Sequence, residues 1–88
     1  MTLDDEPVVI DSGLSQEMEV DGYLFEVCIY RLEEETAWTL EVIDEEGTSH
    51  IWNATFASDF AAMVEAQKVI RTAGAERFMY EDSGPTLH

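Results

Sequence analysis

The sequence predicts an α+β domain, a four-stranded antiparallel β-meander with one C-terminal helix packed on one face, in the order ββββα. Three observations carry this. Between Tyr23 and Ile43, two β-rich runs flank the acidic break Glu33-Glu34-Glu35, a hairpin signature. Asp21-Gly22 supplies a two-residue turn of the kind that needs positive φ at both positions. After Ser58 the apolar residues recur at helical spacing and stop at Gly74.

Met1 to Ser15 is acidic and irregular, with an apolar patch at Val8, Val9 and Ile10, and reads as a flexible tail rather than an edge strand. Glu17 to Val20 alternates charged and apolar residues. The Asp21-Gly22 turn then sets Val20 opposite Tyr23 and Met18 opposite Phe25. If Leu32 to Glu35 form the next loop, Ile29, Val27 and Phe25 stand opposite Trp38, Leu40 and Val42, all on one face. Asp44 to Gly47 then reads as a second four-residue loop, pairing Ile43 with Thr48. That register sends Ile51 to the core face and turns His50 and Trp52 outward.

Ser58 suits an N-cap and Asp59 the first helical turn, where the helix dipole favours negative charge. From Asp59 to Ala73 one side of the wheel gathers Ala62, Met63, Ala66, Val69, Ile70 and Ala73. An antiparallel return brings the end of this helix back to Asp21. Phe78, Met79 and Tyr80 are expected to tuck against the sheet or helix. Glu81 to His88, with Gly84-Pro85, reads as a second tail. The whole of 1–88 is expected to be one small acidic domain.

Twenty acidic residues against four basic ones give a formal charge of −16. Such a chain is repelled by nucleic acid and by anionic membranes. The charge is uneven, since residues 1–50 hold fifteen acids and one base, Arg31. The single cysteine, Cys28, excludes an internal disulfide and a cysteine-built zinc cage. No secretory leader is evident, and no apolar run nears the roughly 20 residues of a spanning helix. The expected location is the cytoplasm. Nothing in the chain calls for a cofactor or a metal.

On the face away from the helix, the predicted register lines up Glu17, Glu26, Glu41 and His50 across four strands. Like charges directly opposite cost roughly 0.2–1 kcal/mol per pair. The row therefore reads as a site for a cation or a basic side chain, against plain solvation in a chain full of acids. Tyr30 and Trp52 share that face, and such rings are enriched at protein interfaces. Cys28 and His50 fall two strands apart, about 9–10 Å, too far for a nucleophile–base pair. The sequence thus points to a non-enzymatic acidic protein-interaction module, joined to a basic protein partner or to itself through the open sheet face. The alternative is an acidic nucleic-acid mimic that inhibits a DNA- or RNA-binding protein.

Overall fold

The Asp21-Gly22 turn forms as its residue types require, with φ of 55° and 84°. It joins β2 (Gln16–Val20) to β3 (Tyr23–Leu32), pairing Val20 with Tyr23, Met18 with Phe25 and Glu17 with Glu26. The computed structural model describes residues 8–80 of the chain. Within them the order continues with β4 (Thr39–Ile43), β5 (Ser49–Ile51), helix α1 (Asp59–Ala73) and a short helix α2 (Ala75–Tyr80). The architecture is the expected α+β one, an antiparallel sheet with its helical layer on one face.

A further strand, β1 (Val9–Asp11), precedes these and pairs with the far half of β3, Ile10 opposite Arg31. The expectation of a loose tail through Ser15 is therefore corrected for residues 8–15. β1 and β2 run end to end along the same edge of β3, which is ten residues long. Ser12 to Ser15 form the break between them. Its backbone groups are not orphaned, because Ser12 N–H donates to the Ile29 carbonyl (2.8 Å) and Ile29 N–H donates to Ser15 Oγ (3.0 Å). Residues 1–7 and 81–88, the rest of the two expected tails, lie outside the described residues.

The β3–β4 register is shifted by two residues from the one expected. Ile29 faces Leu40 and Val27 faces Val42. A shift of two preserves the faces, so the core set survives. The cause is a longer loop. Arg31 clamps it by donating to the carbonyls of Leu32, Glu33 and Glu35, and its guanidinium lies 5.0 Å from the Trp38 ring centroid. Trp38 leaves β3 and instead exchanges two backbone hydrogen bonds with Phe56, at 2.8 and 2.9 Å.

The β4–β5 register is shifted by one, which reverses every side chain of β5. Asp44 and Thr48 close the turn, leaving only Glu45, Glu46 and Gly47 between them. Gly47 takes φ of 88°, so this is a three-residue hairpin with glycine at its left-handed position. Asp44 Oδ1 accepts from the N–H groups of Glu46 and Thr48, at 2.9 and 3.0 Å. His50 now opposes Val42 and Ile51 opposes Glu41. His50 and Trp52 point into the core, and Ile51 points out.

α1 starts at Ser58, whose Oγ accepts from Ala61 N–H at 3.0 Å. Its buried residues, Ala62, Met63, Ala66 and Ile70, pack on the sheet with Phe25, Val27, Ile29, Leu40 and Val42. Gly74, at φ 90°, ends it beside Asp21, as the antiparallel return requires. Asp21 then accepts from Ala75 N–H at 3.0 Å and so caps α2. α2 delivers Phe78 to the middle of the core, where it meets the rings of Phe25, His50 and Trp52. Among the described residues no helix is long and apolar enough to cross a membrane.

Candidate functional site

Strand alternation leaves the outer sheet face to Val9 and Asp11 of β1, Glu17 and Glu19 of β2, Leu24, Glu26, Cys28, Tyr30 and Leu32 of β3, Thr39, Glu41 and Ile43 of β4, and Ser49 and Ile51 of β5. The helices lie on the other side. Glu17 and Glu26 are paired across β2 and β3, as expected, and both are exposed. Beyond them the predicted row breaks up. Glu26 faces Ile43 rather than Glu41, and Glu41 stands between Cys28 and Ile51.

Glu41 is held in place. Tyr30 Oη donates to Glu41 Oε1 at 3.1 Å, and Ser49 Oγ donates to Glu41 Oε2. Burial, and then the hydrogen bond to Glu41, push the Tyr30 phenol above its ordinary range. Burial also raises the Cys28 thiol, with Glu26 and Glu41 adding repulsion against a thiolate. A raised thiol pKa makes Cys28 a poor nucleophile at neutral pH.

His50 and Trp52 do not belong to this face. His50 Nε2 lies 3.0 Å from Asp44 Oδ2, with both side chains buried. The His50 ring sits 4.6 Å from that of Phe78. Trp52 is 5% exposed and its Nε1 donates to Glu65 Oε2 at 3.3 Å. An expected interface centred on Trp52 and Tyr30 is thus corrected. A one-residue difference in loop length placed the tryptophan on the wrong side of the sheet. Cys28 and His50 occupy opposite faces, so no route joins them as nucleophile and base.

In exchange the outer face receives Ile51, which the predicted register sent to the core, beside Leu24 and Ile43, which lie outward in both registers. Ile51 is 43% exposed and Leu24 is 48% exposed. Ile43, half-buried, lies in the row of Glu17, Glu26 and Ser49. The result is a gradient across the strands. The β2 edge carries Glu17 and Glu19, with Glu26 and the exposed Leu24 next to it on β3, and the β5 edge carries Ile51 and Ser49 with Ile43 next to it. The detectable signal was Gly47: a glycine closing a three-residue loop fits a type I turn plus bulge, which sets the observed register.

The carboxylates at the turn end are spent on local structure rather than gathered into one cluster. Glu45 accepts from Leu24 N–H (2.9 Å), and Glu46 accepts from Tyr80 Oη (2.6 Å). Tyr23 Oη donates to Glu76 at 3.1 Å. Comparison with protein-family models, curated proteins and solved structures finds no match to this chain.

Proposed function

We propose that this chain is a non-enzymatic protein-interaction module that receives, on the open face of its sheet, a partner presenting cationic side chains beside apolar ones. One observation carries the reading. Leu24, Ile43 and Ile51 lie on the same sheet face, covered by no element among the described residues, as the exposed carboxylates Glu17, Glu19 and Glu26. An antiparallel sheet with one wet face normally makes that face polar throughout. Here Leu24, Ile43 and Ile51 are mixed with Glu17, Glu19, Glu26 and Glu41, and among the described residues no basic side chain lies on the face. An interface core of apolar residues with a charged margin has this composition.

The nucleic-acid mimic is supported less. A mimic needs a phosphate-like run of carboxylates on one face, whereas the sheet face interrupts Glu17, Glu19 and Glu26 with Leu24, Ile43 and Ile51. Chemical-shift mapping with a synthetic peptide in which lysine alternates with leucine separates the two readings. The expected result is perturbation centred on Glu17, Glu26, Ile43 and Ile51, reduced by Ile51→Asp. Perturbation confined to the acidic loops at Glu33–Glu35 and Glu45–Glu46, unaffected by Ile51→Asp, overturns the proposal.

A further inference from the structure

α1 has a second face that no element of the described fold covers. Phe60 is 67% exposed and Val64 is 45% exposed. At 100° per residue, Phe60, Val64, Gln67, Lys68 and Arg71 fall within one stripe about 100° wide. No acid lies in it, although the chain carries twenty. The nearest, Glu65, lies on the flank and is engaged by Trp52 Nε1. Among the described residues no hydrogen bond or ion pair occupies Lys68 or Arg71. The stripe is apolar at its N-terminal half and cationic at its C-terminal half.

We infer that the outer sheet face of one copy binds the Phe60–Arg71 stripe of a second copy, head to tail. This rests on the reading of the sheet face proposed above and names its occupant. Charge complementarity carries it. The sheet face holds carboxylates and no base, and the stripe holds two of the four bases and no acid. The spacing also matches. Three strand separations take the sheet face from its apolar β5 edge to its acidic β2 edge, about 14 Å. Eleven residues of helix take the stripe from Phe60 to Arg71, about 16 Å. Phe60 and Val64 can therefore lie over Ile51 and Ile43 while Lys68 and Arg71 reach Glu26 and Glu17.

The two patches differ, so the contact is heterologous: one copy is left with a free stripe and the other with a free sheet face. Net charge opposes it. Copies at −16 repel over a long range, and the paired patches attract only at contact. Raising salt from about 10 mM to about 150 mM shortens the Debye length from about 30 Å to about 8 Å, which removes the repulsion first.

Sedimentation velocity tests this with two variants of exposed positions, Phe60→Asp and Ile51→Asp, their folding checked by thermal melting. The wild type should sediment faster as concentration rises, and more so at the higher salt. Each variant alone should stay monomeric. Mixed, they should form a 1:1 dimer and nothing larger, because only one intact sheet face and one intact stripe can meet. Glu26→Lys replaces Ile51→Asp if that variant melts early. A wild type that stays monomeric at both salts overturns the inference. So does a mixture that stays monomeric while the wild type associates, since that marks a different contact. If the lysine–leucine peptide still maps to the sheet face in a monomeric protein, the proposed function stands without this occupant. If the peptide also fails, both fall.

Discussion

Phe78→Ala should remove the keystone of the core. Phe78 is fully buried, although it comes from a six-residue helix at the end of the described chain. Its ring lies 5.8 Å from Phe25, edge to face, 4.6 Å from His50 and 6.1 Å from Trp52. Truncating a buried phenylalanine costs about 3–5 kcal/mol through lost transfer and the cavity left behind. A chain of 88 residues has a total stability of roughly 4–13 kcal/mol. The loss is thus roughly a quarter of the total at the least. A six-residue helix is too short to persist on its own, so α2 should come away with its anchor. The assay is urea unfolding followed by far-ultraviolet dichroism, with Phe60→Ala as the control. Phe60 is 67% exposed, so its truncation should change the midpoint little. Equal losses from the two substitutions would refute the placement of Phe78. A fall in the Phe78→Ala slope as well as its midpoint would show that α2 had already left the native state.

Leu40→Ala, at a fully buried position opposite Ile29, should cost about 2–5 kcal/mol in the same assay, and a loss under 1 kcal/mol would contradict its burial. Asp44→Ala leaves the Glu46 and Thr48 N–H groups without their acceptor and should cost about 1–3 kcal/mol. Asp44→Asn keeps that acceptor, so it should recover much of the loss; equal losses would show that the Asx turn contributes nothing. Cys28 should react slowly with iodoacetamide at neutral pH until the chain is unfolded, and prompt alkylation of the folded protein would count against its raised thiol pKa. All three tyrosines donate to glutamates, and each is shifted upward: Tyr23 chiefly by Glu76, Tyr30 chiefly by burial, and Tyr80 by Glu46 to about 12. A folded pKa above the unfolded one contributes stability that is fully present below the ordinary value of 10.0 and is lost as pH rises through the folded value. Tyrosinate absorbance should therefore appear at higher pH in the folded chain than in urea, with melting temperature falling as it appears. Solvent screening keeps the stability change small, and superimposed titration curves would rule the bonds out.

The parts of the fold that could be read from sequence were those set by a single local geometry. Asp21-Gly22 admits one tight turn, and the pairing of Met18 with Phe25 and Glu17 with Glu26 follows from it. Ser58 and Gly74 bound α1 because a cap and a left-handed stop have few substitutes. The registers that failed depended on loop length, which composition does not state. In the β3–β4 loop the error was two residues, and the even shift left the core intact. In the β4–β5 loop it was one, and the core and site residues changed places. β1 was read as a tail because three residues of strand give no period to detect, and its ladder depends on β3 being long enough to serve two partners. Phe78 was expected to tuck against the sheet or helix, and it does so at the centre of the core. Only Asp21, spent as the cap of α2, shows why the chain turns back there.

The single-residue slip decides what the open face can do. With Ile51 inward and Trp52 outward, the face would have been an aromatic patch beside a self-repelling row of acids. With Trp52 inward, the tryptophan serves the core through Phe78, and an isoleucine of lower rigidity takes its place outside. Glu41 also changes character. Flanked by His50 it would have been one partner of a charge pair; flanked by Ile51, it is tied to Tyr30 and Ser49. Those bonds occupy it within the sheet, leaving the outward negative charge to Glu17, Glu19 and Glu26 at one edge. The face is therefore polar across the strands rather than uniformly acidic. A flat cationic surface would satisfy only one side of it. A helix with apolar residues at one end and bases at the other satisfies both, and such a stripe is present on α1 of the same chain.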